Sequence, residues 1–461
     1  MKQAWQGSLV IAIGIVLWAN GLGLAEEPRL IVGLRVEEGL LAQSVAEALE
    51  ARLNAQASPS GIRVEHVFEL IPAAVVRVSD PEALAALQGD PRVTYIVPDG
   101  EVATPERWLR EPYAQPPSED VFGAATPIEL YNWGIQRIRA PEVHRASISP
   151  ASLALTLALV PVLLGLGLVL PRRRRSGLGL SLIALGLAMG GLSGCTAAVV
   201  LPHPGVMGEG ITVALLDTGV DLGHPDLKAN IVGGVDFVNG DDDPQDDNGH
   251  GTGVAGLLAA VENGVGLIGT APKAKVLVVK MLRYDEQGSI SDLIRGIEWA
   301  VQRGAQIISM SLGTEEDNFA LREAIQAAYR AGILLVAAAG NKGMRVLYPA
   351  AYPEVIAVAA TDRRDQRAWF SNVGPEVELS APGVELLTTG LDGDYQVESG
   401  TSFAVPQVAG VAALVMSTGL RDPAAVRLRL QRTADDLGLP ISAQGYGLVD
   451  AERAVLGVGR P

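Results

Sequence analysis

The chain has 461 residues, with 36 basic and 52 acidic side chains and a formal net charge of -16. Its one basic run is Arg172 to Arg175, so a nucleic-acid partner, which needs a basic stripe, is excluded. Cys195 is the single cysteine, which rules out an intrachain disulfide, and the length allows two folded units plus accessory segments.

Mean hydropathy is +0.25, and the excess comes from three apolar stretches. The first lies in residues 1–25, where Lys2 precedes "SLVIAIGIVLWANGLGLA" and small residues stand before Glu26. This has the form of a signal peptide, although the run approaches the length of an uncleaved anchor helix. Either reading places the chain on an export route.

Residues 26–102 change pattern. "RLIVGLRV" and "AAVVRV" alternate like strands, whereas "LLAQSVAEALEARLNAQ" and "DPEALAALQGD" carry apolar residues at helical spacing, which predicts a small α+β domain. Residues 103–130, rich in Pro and small or polar residues, read as an exposed linker. Residues 131–147 hold the short segment "YNWGIQRIRAPEVHR".

Residues 148–200 contain two apolar runs around Arg172–Arg175, each about long enough to cross ~30 Å of hydrocarbon. A buried core hairpin competes with a membrane hairpin, but four adjacent arginines resist unpaired burial. A transmembrane hairpin insertion is therefore predicted, with the arginines cytoplasmic and everything after Val200 extracytoplasmic. Cys195 ends "LSGC", which resembles a bacterial lipoprotein signal, and the alternative is a plain thiol in a small-residue helix.

From 205 to 461, apolar runs such as "ITVALLD", "AKVLVVKML", "AQIISMSL" and "ILLVAAAG" alternate with helical patterns. That cadence predicts an α/β fold with a parallel sheet covered by helices, whose reactive groups gather where strands end. Asp217 closes "ITVALLD", where it is equally a turn former or the carboxylate that orients an imidazole. His250, in "DDNGHGTGVAG", is the one of five histidines set among small residues that open a helix. Ser402, in "ESGTSFAVPQVAG", starts a helix, which makes it an N-cap by default and a nucleophile beside an oxyanion-stabilising dipole if partners are near. Asn341 ends "ILLVAAAGN" and carries an amide donor. The order Asp, His, Asn, Ser matches the subtilisin type of triad.

The segments "VALLDTGVDLGHPDL", "NGHGTGVAG", "IISMSLG", "LLVAAAGN" and "SGTSFAVPQVAG" resemble, in order, the signatures of the subtilisin-like serine peptidases. That resemblance implies a three-layer αβα catalytic domain with a mainly parallel central sheet. It implies a nucleophile at Ser402, a general base at His250, an orienting carboxylate at Asp217 and an oxyanion donor at Asn341. It further implies substrate-strand pairing at Ser311, Leu312 and Gly313. Residues 26–102 resemble the family's I9-type inhibitory propeptide, so protein or peptide substrates and the chain's own propeptide are the expected partners.

The loop "VENGVGLIGTAP" has the length of the family's calcium loop. The resemblance implies ligands from the carbonyls of Val261, Val265 and Leu267, the side chains of Asn263 and Asp226, and Glu129, against the alternative of an ordinary turn. The acidic run "GDDDPQDDNG" reads as a solvated loop or a second ion site. Two positions depart from the family, Gly253 and Gln407, where a histidine is usual, and Leu347 in the short "NKGMRVLYP" is expected to narrow the pocket for the residue before the cut bond.

The combined expectation is a membrane-tethered extracytoplasmic serine endopeptidase made as a zymogen. The alternative, a catalytically inactive peptidase-like scaffold, has no need of all four of Asp217, His250, Asn341 and Ser402.

Overall fold

The computed structural model describes residues 27–36, 46–47, 62–79, 81–108, 131–144 and 205–459. The chain divides into one unit of Met1–Pro141 with Met207–Pro461 and a second of Glu142–Val206. Within the second, Val206 N donates to Val143 O at 2.9 Å. The expected signal segment and membrane hairpin, with Cys195, lie outside the described residues. No helix among the described residues is long and apolar enough to cross a membrane.

In the first unit, β1 (Arg29–Leu34), β2 (Ile62–Val67), β3 (Ala73–Val78) and β4 (Val93–Pro98) form an antiparallel sheet in the order β2-β3-β1-β4. Strand β1 is apolar on both faces because both faces are covered. Leu30, Val32 and Leu34 pack with Leu84 and Leu87 of the helix Pro81–Gly89. Ile31 points the other way and joins Phe68 and Val75 in a core shared with Ile290, Leu293, Ile294 and Ile297 of the helix Ile290–Gln302. The period of two along a strand thus splits one sequence between two cores.

Polar contacts lock this sheet in place. Ser291 donates through N (2.8 Å) and Oγ (2.7 Å) to Asp99, which sets a carboxylate at the positive end of the helix Ile290–Gln302. Tyr95 Oη donates to Glu323 at 2.7 Å, and the N–H groups of Glu69 and Leu70 both donate to Glu298.

The larger sheet is built from β6 (Thr212–Asp217), β7 (Ile231–Asp236), β8 (Lys275–Lys280), β10 (Ile307–Met310), β11 (Leu334–Ala338), β12 (Val355–Thr361) and β13 (Val377–Pro382). Its order is β13-β12-β11-β10-β6-β8-β7, and every pair is parallel. The strands are near-continuous apolar runs because helices cover both faces. Ala214, Leu216, Ile308 and Met310 face the helices Ile290–Gln302 and Phe319–Arg330. The helices His250–Ala259 and Thr401–Ser417 pack together on the other side. The latter is buried from Thr401 to Met416, which explains why it is apolar all round rather than amphipathic. This is the expected three-layer αβα arrangement.

Two short pairs complete the unit: β14 (Leu386–Thr389) with β15 (Tyr395–Glu398), and β5 (Glu101–Ala103) with β9 (Gln287–Ser289), both antiparallel. The second pair corrects a boundary. Residues from 103 onward read as exposed linker, yet Ala103, Thr104, Pro105 and Glu106 are buried. Val102 and Ala103 form a strand against the larger domain, and a stretch poor in local pattern gains order from that long-range pairing.

Candidate active site

Parallel pairing puts the C-terminal ends of β6, β10 and β11 along one edge of the sheet. Asp217 is the last residue of β6, Ser311–Gly313 continue β10, and Asn341 lies just past β11. Two helices begin at this edge. His250 is the first residue of its helix, after Gly249, whose φ of +105 favours glycine. Ser402 is the second residue of the helix Thr401–Ser417, where backbone N–H groups have no partner inside the helix.

Asp217, His250, Asn341 and Ser402 all come to this one edge of the sheet. His250 Nδ1 lies 2.7 Å from Asp217 Oδ1, which also accepts the Thr218 N–H at 2.7 Å. Asn341 Oδ1 accepts from Thr401 N (2.9 Å) and Thr401 Oγ1 (2.8 Å), so its amide nitrogen is turned into the site. Ser311 Oγ donates to Ser402 O at 2.8 Å, and Ser402 Oγ lies 3.2 Å from Ser311 O. Leu312 is buried in the core, whereas Gly313 exchanges two backbone hydrogen bonds with Ala103, at 2.9 and 3.1 Å.

A residue that no motif flagged sits at the centre. Glu106 is 7 % exposed. Its Oε1 accepts from Asn341 Nδ2 at 2.8 Å and from Ser402 N at 3.3 Å. Its Oε2 accepts from Ser402 Oγ at 2.5 Å and lies 3.1 Å from His250 Nε2. Burial alone would push the His250 imidazole down, but Asp217 and then Glu106 outweigh it and hold the ring well above its ordinary value. Both neighbouring carboxyl groups thus favour the protonated ring in this arrangement.

Asp246 is the second residue that sequence reasoning passed over, because it lay inside an acidic run read as solvent-facing or ion-binding. Asp241, Asp242 and Asp243 are indeed exposed, but Asp246 is buried. Its Oδ1 accepts from Thr218 Oγ1 (2.9 Å), Asn248 N (3.0 Å) and Gly249 N (3.1 Å). Its Oδ2 accepts from Thr252 N (3.0 Å) and Thr252 Oγ1 (2.6 Å). Thr218 Oγ1 in turn accepts the Gly251 N–H at 3.0 Å. Burial would raise this carboxyl, but the Thr252 hydroxyl and the N–H groups of Gly249, Asn248 and Thr252 hold it below the usual range. One carboxylate thereby ties the Asp217 loop to the start of the His250 helix.

The atypical positions have local explanations. A Cβ on Gly253 would lie 3.0 Å from Gln396 Nε2 and 3.2 Å from the Phe403 ring, so neighbouring side chains fill the space. Gln407 is fully buried and donates to Pro382 O (2.6 Å) and Phe403 O (2.9 Å). Leu347 packs directly on the glycines of the groove: a Cβ on Gly313 would fall 2.9 Å from Leu347 Cβ, and one on Gly340 2.8 Å from Leu347 Cγ.

The expected calcium loop folds against Asp226. Val261 N donates to Asp226 O at 2.8 Å. The Asp226 carboxylate accepts from Asn263 Nδ2 (3.0 Å), Leu267 N (2.9 Å) and Tyr395 Oη (2.8 Å). The groups gathered there are oxygen-bearing, as calcium requires, and the Asn263 amide, whose nitrogen faces Asp226, is the group that would have to turn. Among the described residues no cluster of three or more His, Cys, Asp or Glu forms, so an ion at this loop would depend on backbone carbonyls. Glu129 lies outside the described residues.

The sequence profile of the Subtilase family matches residues 208–448. Over 456 residues the chain is 32 % identical to "Alkaline protease" of Alkalihalobacillus alcalophilus, covering 97 % of each chain. It is 48 % identical over 255 residues to "Thermostable alkaline protease" of Halalkalibacterium halodurans, covering 54 % of this chain and 69 % of that protein. It is 43 % identical over 250 residues to "Thermitase" of Thermoactinomyces vulgaris, covering 54 % of this chain and 89 % of that protein.

The Asp246 network yields a test. Asp246→Ala leaves buried hydroxyl and N–H groups unpaired, at a cost of about 3 kcal/mol in unfolding free energy. It also frees the loops that carry Asp217 and His250, so kcat on a peptide substrate should fall at least about tenfold with KM little changed. Urea unfolding and steady-state kinetics read the two effects, and an unchanged kcat in a destabilised variant would confine Asp246 to folding.

Proposed function

Because the chain belongs to the subtilase family and is a subtilisin-like serine endopeptidase, we propose that it hydrolyses peptide bonds through an acyl-enzyme on Ser402. Ser402 Oγ attacks the substrate carbonyl carbon while His250 Nε2 takes its proton. Asp217 holds the ring through Nδ1 and stabilises the imidazolium. The carbonyl oxygen becomes an oxyanion that receives the Asn341 Nδ2 and Ser402 N donors, one such donor being worth ~3 kcal/mol of transition-state stabilisation. The imidazolium then protonates the leaving amine, and water repeats the sequence to release the acid. Substrate backbone pairs with Ser311–Gly313 as an added strand.

One observation carries this reading. The two oxygens of a single carboxylate, that of Glu106, lie within 3.3 Å of Asn341 Nδ2, Ser402 N, Ser402 Oγ and His250 Nε2. Those four groups converge on a space one carboxyl group wide, which is what acyl transfer needs and what an inactive scaffold does not.

In the same reading the enzyme is a zymogen, with residues 26–102 as its inhibitory propeptide and a cut within 103–130 made by Ser402. The β5 strand, wedged between β9 and Gly313, supports this by lying along the substrate path. Export follows from the signal-like residues 1–25. Tethering follows from the apolar runs of 148–200 as a membrane hairpin, or from a lipid on Cys195. N-terminal sequencing of the membrane-extracted mature enzyme separates these: a start within 103–130 fits the hairpin, a start at Cys195 fits lipidation, and recovery of the mature enzyme only in the soluble fraction overturns both.

Calcium, if bound, would be held by the carbonyls of Val261, Val265 and Leu267 with Asn263 and Asp226, and would stiffen this loop. At a hundred times its Kd it would add ~2.7 kcal/mol to stability. Removing it with EDTA should lower the melting temperature of the native chain but not of Asp226→Asn, and an EDTA-insensitive melt counts against the site.

For the catalytic assignment, a fluorophosphonate should label the chain, and Ser402→Ala should abolish both labelling and casein cleavage. Casein cleavage surviving in that variant sinks the assignment.

A further inference from the structure

We propose that the oxyanion hole together with Ser402 forms a binding site for a side-chain carboxylate, and that Glu106 fills it in cis to hold the protease latent. The proposal rests on the catalytic reading above. It goes beyond occupation of the groove by a propeptide strand, because it assigns the inhibition to one charged group.

Residues 101–104 bind as a substrate would. Ala103 pairs with Gly313 on one side and Gln287 on the other, and Val102 is buried in the core beside Ile290 and Leu282. Thr104 N donates to Glu286 O at 3.2 Å, and its hydroxyl to Glu286 Oε2 at 2.5 Å. A substrate would continue extended and present a peptide carbonyl to Asn341. Here the chain instead turns into a 3-10 helix at Pro105–Trp108, and the oxygen that reaches Asn341 belongs to a side chain.

Three consequences make this arrangement unreactive. The donors meant for an oxyanion are taken by an oxygen that already carries negative charge. Ser402 Oγ donates its hydrogen bond to Glu106 Oε2 and, among the described residues, makes none to His250. A carboxylate carbon is also a poor electrophile, so Ser402 has nothing to attack. The fit is close on the far side as well, since a Cβ on Gly400 would stand only 1.7 Å from Glu106 Oε1. Glycine at that position leaves the room that the carboxylate occupies. No bond near residue 106 is cleavable until Glu106 withdraws, so Glu106 sets the rate of escape from latency.

The full-length chain and its Glu106→Ala and Glu106→Gln variants should be compared by the initial rate of fluorophosphonate labelling of the uncleaved band, with Ser402→Ala as the blank. Loss of one charged hydrogen-bonding group predicts labelling at least about tenfold faster in both variants. In parallel, the mature enzyme should be inhibited at least about tenfold more tightly by the peptide "DGEVATPERW" than by its counterpart with alanine in place of Glu106. Equal labelling rates with equal inhibition constants overturn the proposal. Labelling that persists in Ser402→Ala instead overturns the catalytic reading on which it rests. If both variants fail to fold, the peptide pair decides alone, because neither peptide requires an altered protein.

Discussion

A carboxylate buried at the end of a parallel strand needs a partner, and for Asp217 that partner is His250 at 2.7 Å. Much of the larger domain can be understood from this contact. The ring must approach from a helix that starts at the sheet edge, so the turn before it is a left-handed glycine and the first turn is made of small residues. Asp246 then fastens that turn to the loop after Asp217 through five hydrogen bonds within 3.1 Å. The pair is placed by backbone and network before any substrate arrives, which is the preorganisation that makes electrostatic catalysis effective.

The antiparallel N-terminal sheet serves the same edge from outside. Its apolar second face covers the helices Ile290–Gln302 and Phe319–Arg330, and Asp99 answers the positive end of the first of these. With the sheet docked there, the chain leaving β4 has only a short way to go to enter the groove between β9 and Gly313. The order of residues 101–106 is thus a consequence of how the sheet is seated. Their own composition, rich in small and polar residues, would not hold them in place.

The arrangement of charges around His250 links the two parts. In the groove-filled state Asp217 and Glu106 both favour the protonated imidazole over the neutral ring that a general base requires. Withdrawal of Glu106 removes one of the two groups that raise the imidazole and returns the Ser402 hydroxyl to solvent or substrate. In the proposed reading, latency and catalysis differ by the position of the Glu106 side chain.

The amino-acid sequence by itself determined the fold class and most of the candidate site. Apolar runs bounded by turns mark parallel strands, and the short motifs around Asp217, His250, Asn341 and Ser402 each carry their residue at a strand end or helix start, features encoded within a few positions. The tertiary structure decided what depends on distant partners. Glu106 lies 144 residues from His250 and 296 from Ser402, and nothing in "ATPERW" signals that meeting. Asp246 looked like one more solvated acid among its neighbours until the Thr218 and Thr252 hydroxyls closed over it. Local patterns report the backbone's own preferences, whereas burial and the pairing of charges are set by whichever segments the packed core brings together.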